Sequence, residues 1–134
     1  YLQSMRAELE IAFWEPAVSA LTESEVAELF ALCDAAETKL HAPQIEVPQT
    51  EHRRLHVLLF SHLENPFVRA VLRVYWDAYE VAGLHRYFAL DYHLRVWSLH
   101  RAIVQSIVDR DYERGRRLLR EHFHLLHDRI RQTQ

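Results

Sequence analysis

His52 and His56 lie four residues apart in the segment Glu51-His52-Arg53-Arg54-Leu55-His56. On a helix that spacing offsets two side chains by about 40° and about 6 Å along one face. It is a good geometry for two ligands on one metal ion. Both imidazoles fall on an otherwise apolar stripe made by His52, Leu55, His56, Leu59 and Leu63. A later segment repeats the pattern, with His100 central to a stripe of His93, Val96, Trp97, Ile103, Val104 and Ile107. A third stripe near the end of the chain holds Leu118, Leu119, His122, Leu126 and Ile130. His124 sits about 200° round the helix from His122, so both cannot face one point. The stripe selects His122 over His124, and less decisively over His127. His93 is about 10.5 Å along the axis from His100, too far to share an ion, which makes it a pocket wall or a core residue.

Taken singly, each of these histidines is most simply a core residue satisfied by a carbonyl, a carboxylate or water. Four together are harder to place that way, because each buried imidazole has two polar atoms to satisfy. A divalent ion would satisfy one nitrogen from each. The candidate ligands are therefore His52, His56, His100 and His122.

The chain that must position them has 134 residues and a mass of 16.0 kDa, enough for one domain. Hydrophobic residues make up 49% and charged residues 26%, a globular composition rather than a disordered one. Two glycines and four prolines are too few to punctuate the turns of a sandwich or barrel. A net charge of -3 does not suggest a nucleic-acid-binding face. Cys33 is the only cysteine, so neither an internal disulfide nor a cysteine zinc knuckle can form. No apolar run approaches the ~20 residues of a membrane span, and no signal peptide is legible, so the expected compartment is the cytoplasm. Ten histidines are the compositional anomaly that bears on function.

Residues 1–4 read as a vector or protease-site remnant, and residues 5–134 as a single domain. The periodicity predicts an all-α antiparallel bundle of about six helices. The first runs from Met5 to about Ala20 on Leu9, Ala12, Phe13, Pro16 and Ala17, with a bend or break at Pro16. Thr22 and Glu25 form a capping box for the second, which runs to about Leu40 on Val26, Leu29, Phe30, Cys33 and Ala36. The third spans about Thr50 to Leu63. Asn65-Pro66 opens the fourth, and Gly83 ends it. The fifth runs from about His85 to Val108, and Asp111 caps a sixth that continues to about Arg131. There is no Gly-rich phosphate loop and no Gly-x-Ser-x-Gly elbow.

Placed on these elements, the motifs resemble a known family. Glu51 to His56, followed by Ser61 and Asn65-Pro66, is similar to the "Asp-x-x-Phe-His … Asn-Pro" helix of the FadR C-terminal-type effector domain. That domain occurs in GntR-superfamily transcription regulators. His100-Arg101-Ala102-Ile103 resembles its "His-x-x-Ile" helix. Asp111, Gly115, Leu119 and His122 resemble the closing "Asp-x3-Ala-x3-Met-x2-His" helix, with Gly and Leu in place of Ala and Met. Arg6-x2-Leu9-Glu10 resembles the opening "Arg-x2-Leu-Glu". The motifs span nearly the whole chain in the right order.

The resemblance implies a helical bundle that binds a small carboxylic or sugar acid, with a divalent metal held in many members by one aspartate and three histidines. Carried over by position, His56, His100 and His122 are the three histidine ligands, and His52 occupies the aspartate's place. An all-histidine set brings no negative charge, which favours Zn or Ni over Mn or Mg and strengthens the pull on an anionic effector. If His52 points away, three histidines bind and more positions stay open. Arg6 and Arg95 are the expected grips for an effector carboxylate, while Arg53 and Arg101 are better read as surface ion pairs. The family also implies a homodimer, and DNA binding through an N-terminal winged helix absent from this chain. The expected role is thus a non-catalytic sensor. The alternative is a metal-dependent helical-bundle enzyme of the DinB type, against which stands the lack of an inward carboxylate beside the histidines. A di-iron carboxylate bundle, which needs Glu-x-x-His pairs, ranks last.

Overall fold

The computed structural model describes residues 2–83 and 89–133, with side chains given as far as Asp128. Among the described residues there are seven helices and no strand. They are α1 (Leu2–Ala12), α2 (Trp14–Val18), α3 (Glu23–His41), α4 (Gln49–Leu59), α5 (Pro66–Ala82), α6 (Leu90–Val108) and α7 (Tyr112–Thr133). The all-α expectation holds. The extra helix traces to Pro16, which has no amide hydrogen and whose ring crowds the carbonyl four residues back, that of Ala12. α1 ends at Ala12, Phe13 leaves helical geometry at φ -102 and ψ 13, and the short α2 follows. α1 also begins earlier than the sequence suggested, so Leu2 to Ser4 are helical.

The helix ends follow the local chemistry. Thr22 Oγ1 accepts from the Glu25 amide at 3.2 Å, and Glu25 Oε1 accepts from the Thr22 amide at 2.9 Å, so both halves of the capping box are made. Asn65 Oδ1 accepts from the amides of Phe67 and Val68 ahead of Pro66 in the first turn of α5. Gly83 closes that helix in the left-handed region at φ 62. Asp111 Oδ1 accepts from the Arg114 amide at the start of α7. The expected start of the fifth helix near His85 lies outside the described residues, and α6 is seen from Leu90. α4 stops at Leu59 rather than Leu63, though Leu63 is still buried.

α6 is the centre of the bundle, packing on α7 along one side and on α3 along another, while α4 lies on α3. α1 rests against α5 and α7. The core stripes match the sequence pattern on α3, where Leu29, Cys33, Ala36 and Leu40 are buried. They match on α6 as well, where His93, Val96, Trp97, His100, Ile103, Val104 and Ile107 are all buried. On α7 the stripe holds through Leu119, His122 and Leu126, and Ile130 lies outside the described side chains. On α1 the face is different. Ala12 and Pro16 are exposed, and the side chains α1 buries are Arg6 and Glu10.

α7 approaches the body at Gly115. A Cβ placed there would come within 2.6 Å of Ser106 Oγ and 2.8 Å of Trp14 Nε1. Only hydrogen fits, and this contact fixes the depth at which α7, and with it His122, sits against α6.

Candidate metal centre

Three helices bring four imidazoles together: α4 supplies His52 and His56, α6 supplies His100, and α7 supplies His122. One nitrogen from each can be chosen so that all four lie within 4.8 Å of one another. His100 and His122 are completely buried, His56 is 2% exposed and His52 9%. His93 is buried as well but does not join the group. His124 and His127 are exposed on the other side of α7.

The cluster has the chemistry of a ligand set. Burial pushes His52, His100 and His122 well below the ordinary histidine value, and the neighbouring imidazoles push in the same direction for His52 and His122. For His100 the neighbouring push comes from His56 and Arg6. Burial also lowers His56, although Glu10 pulls the other way. The neutral form is the one that ligates. His52 Nε2, His56 Nε2, His100 Nδ1 and His122 Nδ1 are buried without a hydrogen-bond partner. His100 Nε2 and His122 Nε2 are 3.4 Å apart. Two nitrogens in a tetrahedral shell at metal distances of about 2.0–2.1 Å stand about 3.3 Å apart, so this pair is already spaced for one ion. The residues therefore fit a divalent transition metal.

Aromatic side chains wall the cluster. The Trp97 ring lies 4.6 Å from that of His100, and the Trp76 ring 5.0 Å from that of His52, centroid to centroid. These apolar walls hold the imidazoles in place and lower the local dielectric.

One expectation is corrected here. The sequence reading found no carboxylate facing inward with the histidines, and Glu10 does. It is 1% exposed, with Oε1 2.9 Å from His56 Nδ1 and Oε2 3.0 Å from Arg6 Nη1. Burial would raise the Glu10 carboxyl, but Arg6 and His56 outweigh it and hold it below the usual carboxylate range. An ionised carboxylate so engaged is a hydrogen-bond acceptor, not a free base. Glu51, next to His52, is turned to Lys39 Nζ at 2.7 Å.

The arginines divide differently from the expectation. Arg6 is fully buried, with Nη2 2.7 Å from the Tyr75 hydroxyl and its guanidinium 4.2 Å over the Tyr75 ring. Arg95 is 62% exposed and lies 3.3 Å from Glu121. Neither lines the cleft of about 220 Å³ that reaches Glu10, His56 and Trp76. That cleft runs between α4 and α5 and is lined instead by Arg53, Arg69 and Arg73. Arg53 also bridges to Asp77 and Glu80, and Arg101 to Asp34 and Glu37; both make the ion pairs expected of them, but these tie helices together, and Arg53 lines the cleft besides. Arg69 and Arg73 carried a weak signal in the sequence, two cations four apart on one helix, and went unnoticed.

No helix among the described residues is long and apolar enough to cross a membrane. In comparisons with known proteins, the family model of the FCD domain matches residues 2–125. No curated protein and no solved structure matches the chain. The match takes in all four histidines of the cluster, and with it the chain belongs to the FCD family, the effector-binding domains of GntR-type transcription regulators.

Proposed function

We propose that this domain senses a small carboxylic or sugar acid through one divalent metal ion, Zn or Ni first, held by His52, His56, His100 and His122. The observation that carries the reading is the convergence of four buried imidazoles from three helices, one ring nitrogen of each lying within 4.8 Å of the others. A four-histidine set leaves the ion its full charge, so an anionic ligand is the natural completion. The cleft lined by Arg69 and Arg73 offers such an anion guanidinium partners on its way to His56. Bound metal and acid would favour one of two arrangements of a homodimer, and a winged helix outside this chain would read that choice on DNA. The metal is a structural and ligand-presenting group in this scheme, not a catalytic one. Glu10, the inward carboxylate beside the histidines, is committed to Arg6 and His56 and so is not poised to activate a water.

The test is elemental analysis of the purified chain beside His56→Ala and His52→Ala variants. Near one Zn or Ni per chain, lost in His56→Ala, supports the centre. Retention in His52→Ala reduces the set to three histidines. No metal in the parent chain, even after Zn or Ni is added, overturns it. With metal bound, carboxylic and sugar acids are then screened by thermal shift against the parent and an Arg69→Ala/Arg73→Ala variant, whose weaker response locates the acid in the cleft.

A further inference from the structure

α1 supplies no histidine to the cluster, yet the two side chains it buries both lead there. Arg6 Nη1 and Glu10 Oε2 are 3.0 Å apart, and the other oxygen of the same carboxylate meets His56 Nδ1 at 2.9 Å. At its far side Arg6 reaches the Tyr75 hydroxyl on α5. The result is a buried line of polar groups from α5 through α1 to α4.

A carboxylate at Nδ1 fixes the imidazole tautomer. With Nδ1–H donated to Glu10, the lone pair of His56 is left on Nε2, one of the buried nitrogens without a partner. The same hydrogen bond makes the ring a better donor to a cation. Glu10 also brings, one bond removed, the negative charge that a ring of four histidines lacks. The effect runs in both directions. A cation on Nε2 draws density from the ring and makes Nδ1–H a stronger donor to the ionised carboxylate. Whatever Glu10 adds to metal affinity, the metal must add to the hold of Glu10, and so of α1.

We propose that Glu10 is the positioning carboxylate of the histidine centre, and that metal at His56 in turn clamps α1 onto the bundle through it. This rests on reading the four histidines as a metal site. Arg6 keeps the carboxylate ionised and in place, a role distinct from gripping an effector.

The experiment is a zinc titration against a competing chelator, followed by hydrogen exchange with and without zinc. Glu10→Gln leaves Arg6 buried without its counter-ion, so the Arg6→Met/Glu10→Gln pair is measured beside it, with circular dichroism to show that each is folded. Zinc affinity is expected to fall about 10–100-fold in both variants. Zinc should slow amide exchange in residues 2–12 of the parent chain, and leave it unchanged in the double variant, while still slowing exchange in α4 and α6. In ¹⁵N spectra of the zinc-loaded parent, the protonated Nδ1 of His56 should carry the shift of a strong hydrogen bond to a carboxylate, and that shift should shrink in the variants, where only a neutral amide oxygen can accept. Equal zinc affinity in the folded double variant would overturn the positioning role. Equal slowing of α1 with and without Glu10 would overturn the clamp. A parent chain that takes up no zinc would overturn the metal centre itself, a result distinct from both.

Discussion

At the scale of single residues, the histidines were legible because they break a pattern. An imidazole in a stripe of leucines and valines is conspicuous, and His52, His56, His100 and His122 all stand in such stripes. Arg6 and Glu10 were not legible as a buried pair, since charged residues default to solvent. What allows their burial is their spacing: four apart on one helix, each cancels the other's charge. Removing one partner leaves a buried charge uncompensated, so Arg6→Ala should lose about 3–5 kcal/mol of stability in urea denaturation, and Arg6→Met/Glu10→Gln distinctly less. Cys33 provides a pH prediction. Burial pushes its thiol up to about 12, because the thiolate would be desolvated among α3 core residues. The folded thiol holds its proton more tightly than the unfolded one. Its contribution to stability is therefore complete below about pH 8.5 and falls by about 1.4 kcal/mol per pH unit as the pH rises toward 12. At pH 8, alkylation of native Cys33 should be negligible and should appear only as the chain unfolds in denaturant.

At the scale of the elements, the helix ends were the most readable feature, because capping is written in side chains adjacent to the break. Thr22 with Glu25, Asn65 with Pro66, Gly83, and Asp111 all sit where the sequence put them. Asn65→Ala should cost about 1 kcal/mol in a denaturant melt, since two amides of α5 lose their acceptor. The inward face of α1 was misread, for the reason given above: its apolar residues Leu9 and Ile11 are only half-buried, and the charged Arg6 and Glu10 are inside. Gly115 illustrates a property that periodicity does not encode. Its missing side chain admits Trp14 and Ser106 from two other elements, a tertiary fact. Gly115→Ala should therefore destabilise by about 1–3 kcal/mol through overpacking, despite the better helix propensity of alanine. If His122 is a ligand, the same substitution should weaken zinc binding, because α7 must shift to admit the methyl group. A parallel reduction in melting temperature and zinc affinity would show both effects.

At the scale of the molecule, the bundle is held together by two kinds of material. α3, α4 and α6 share a hydrocarbon core, tied at its surface by Arg54 with Glu28 and by Arg101 with Asp34 and Glu37. The cluster of histidines lies where α4, α6 and α7 meet, so an ion there would cross-link three helices. Zinc at 100 times its dissociation constant should add about 2.7 kcal/mol to stability, seen as a melting temperature that falls when a chelator is added and recovers with zinc. His56→Ala should abolish that dependence.

α1 is attached by a mixture: half-buried Ala7, Leu9 and Ile11 rest on that core and Leu2 on the rings of α5, but its fully buried contacts are charged. The two side chains it buries form an ion pair, lying among the rings of Tyr75, Trp76 and Phe123. Hydrophobic cohesion weakens on cooling and leaves a large heat-capacity signature when it is lost. Polar surface carries the opposite sign of heat capacity on exposure. Detachment of α1 should accordingly give a smaller change in baseline per residue than loss of the α3–α4–α6 core, as a shallow step ahead of the main endotherm. The charged part of that hold should weaken less near 0 °C than the hydrocarbon core, so α1 should lose a smaller share of its attachment on cooling than the rest of the bundle.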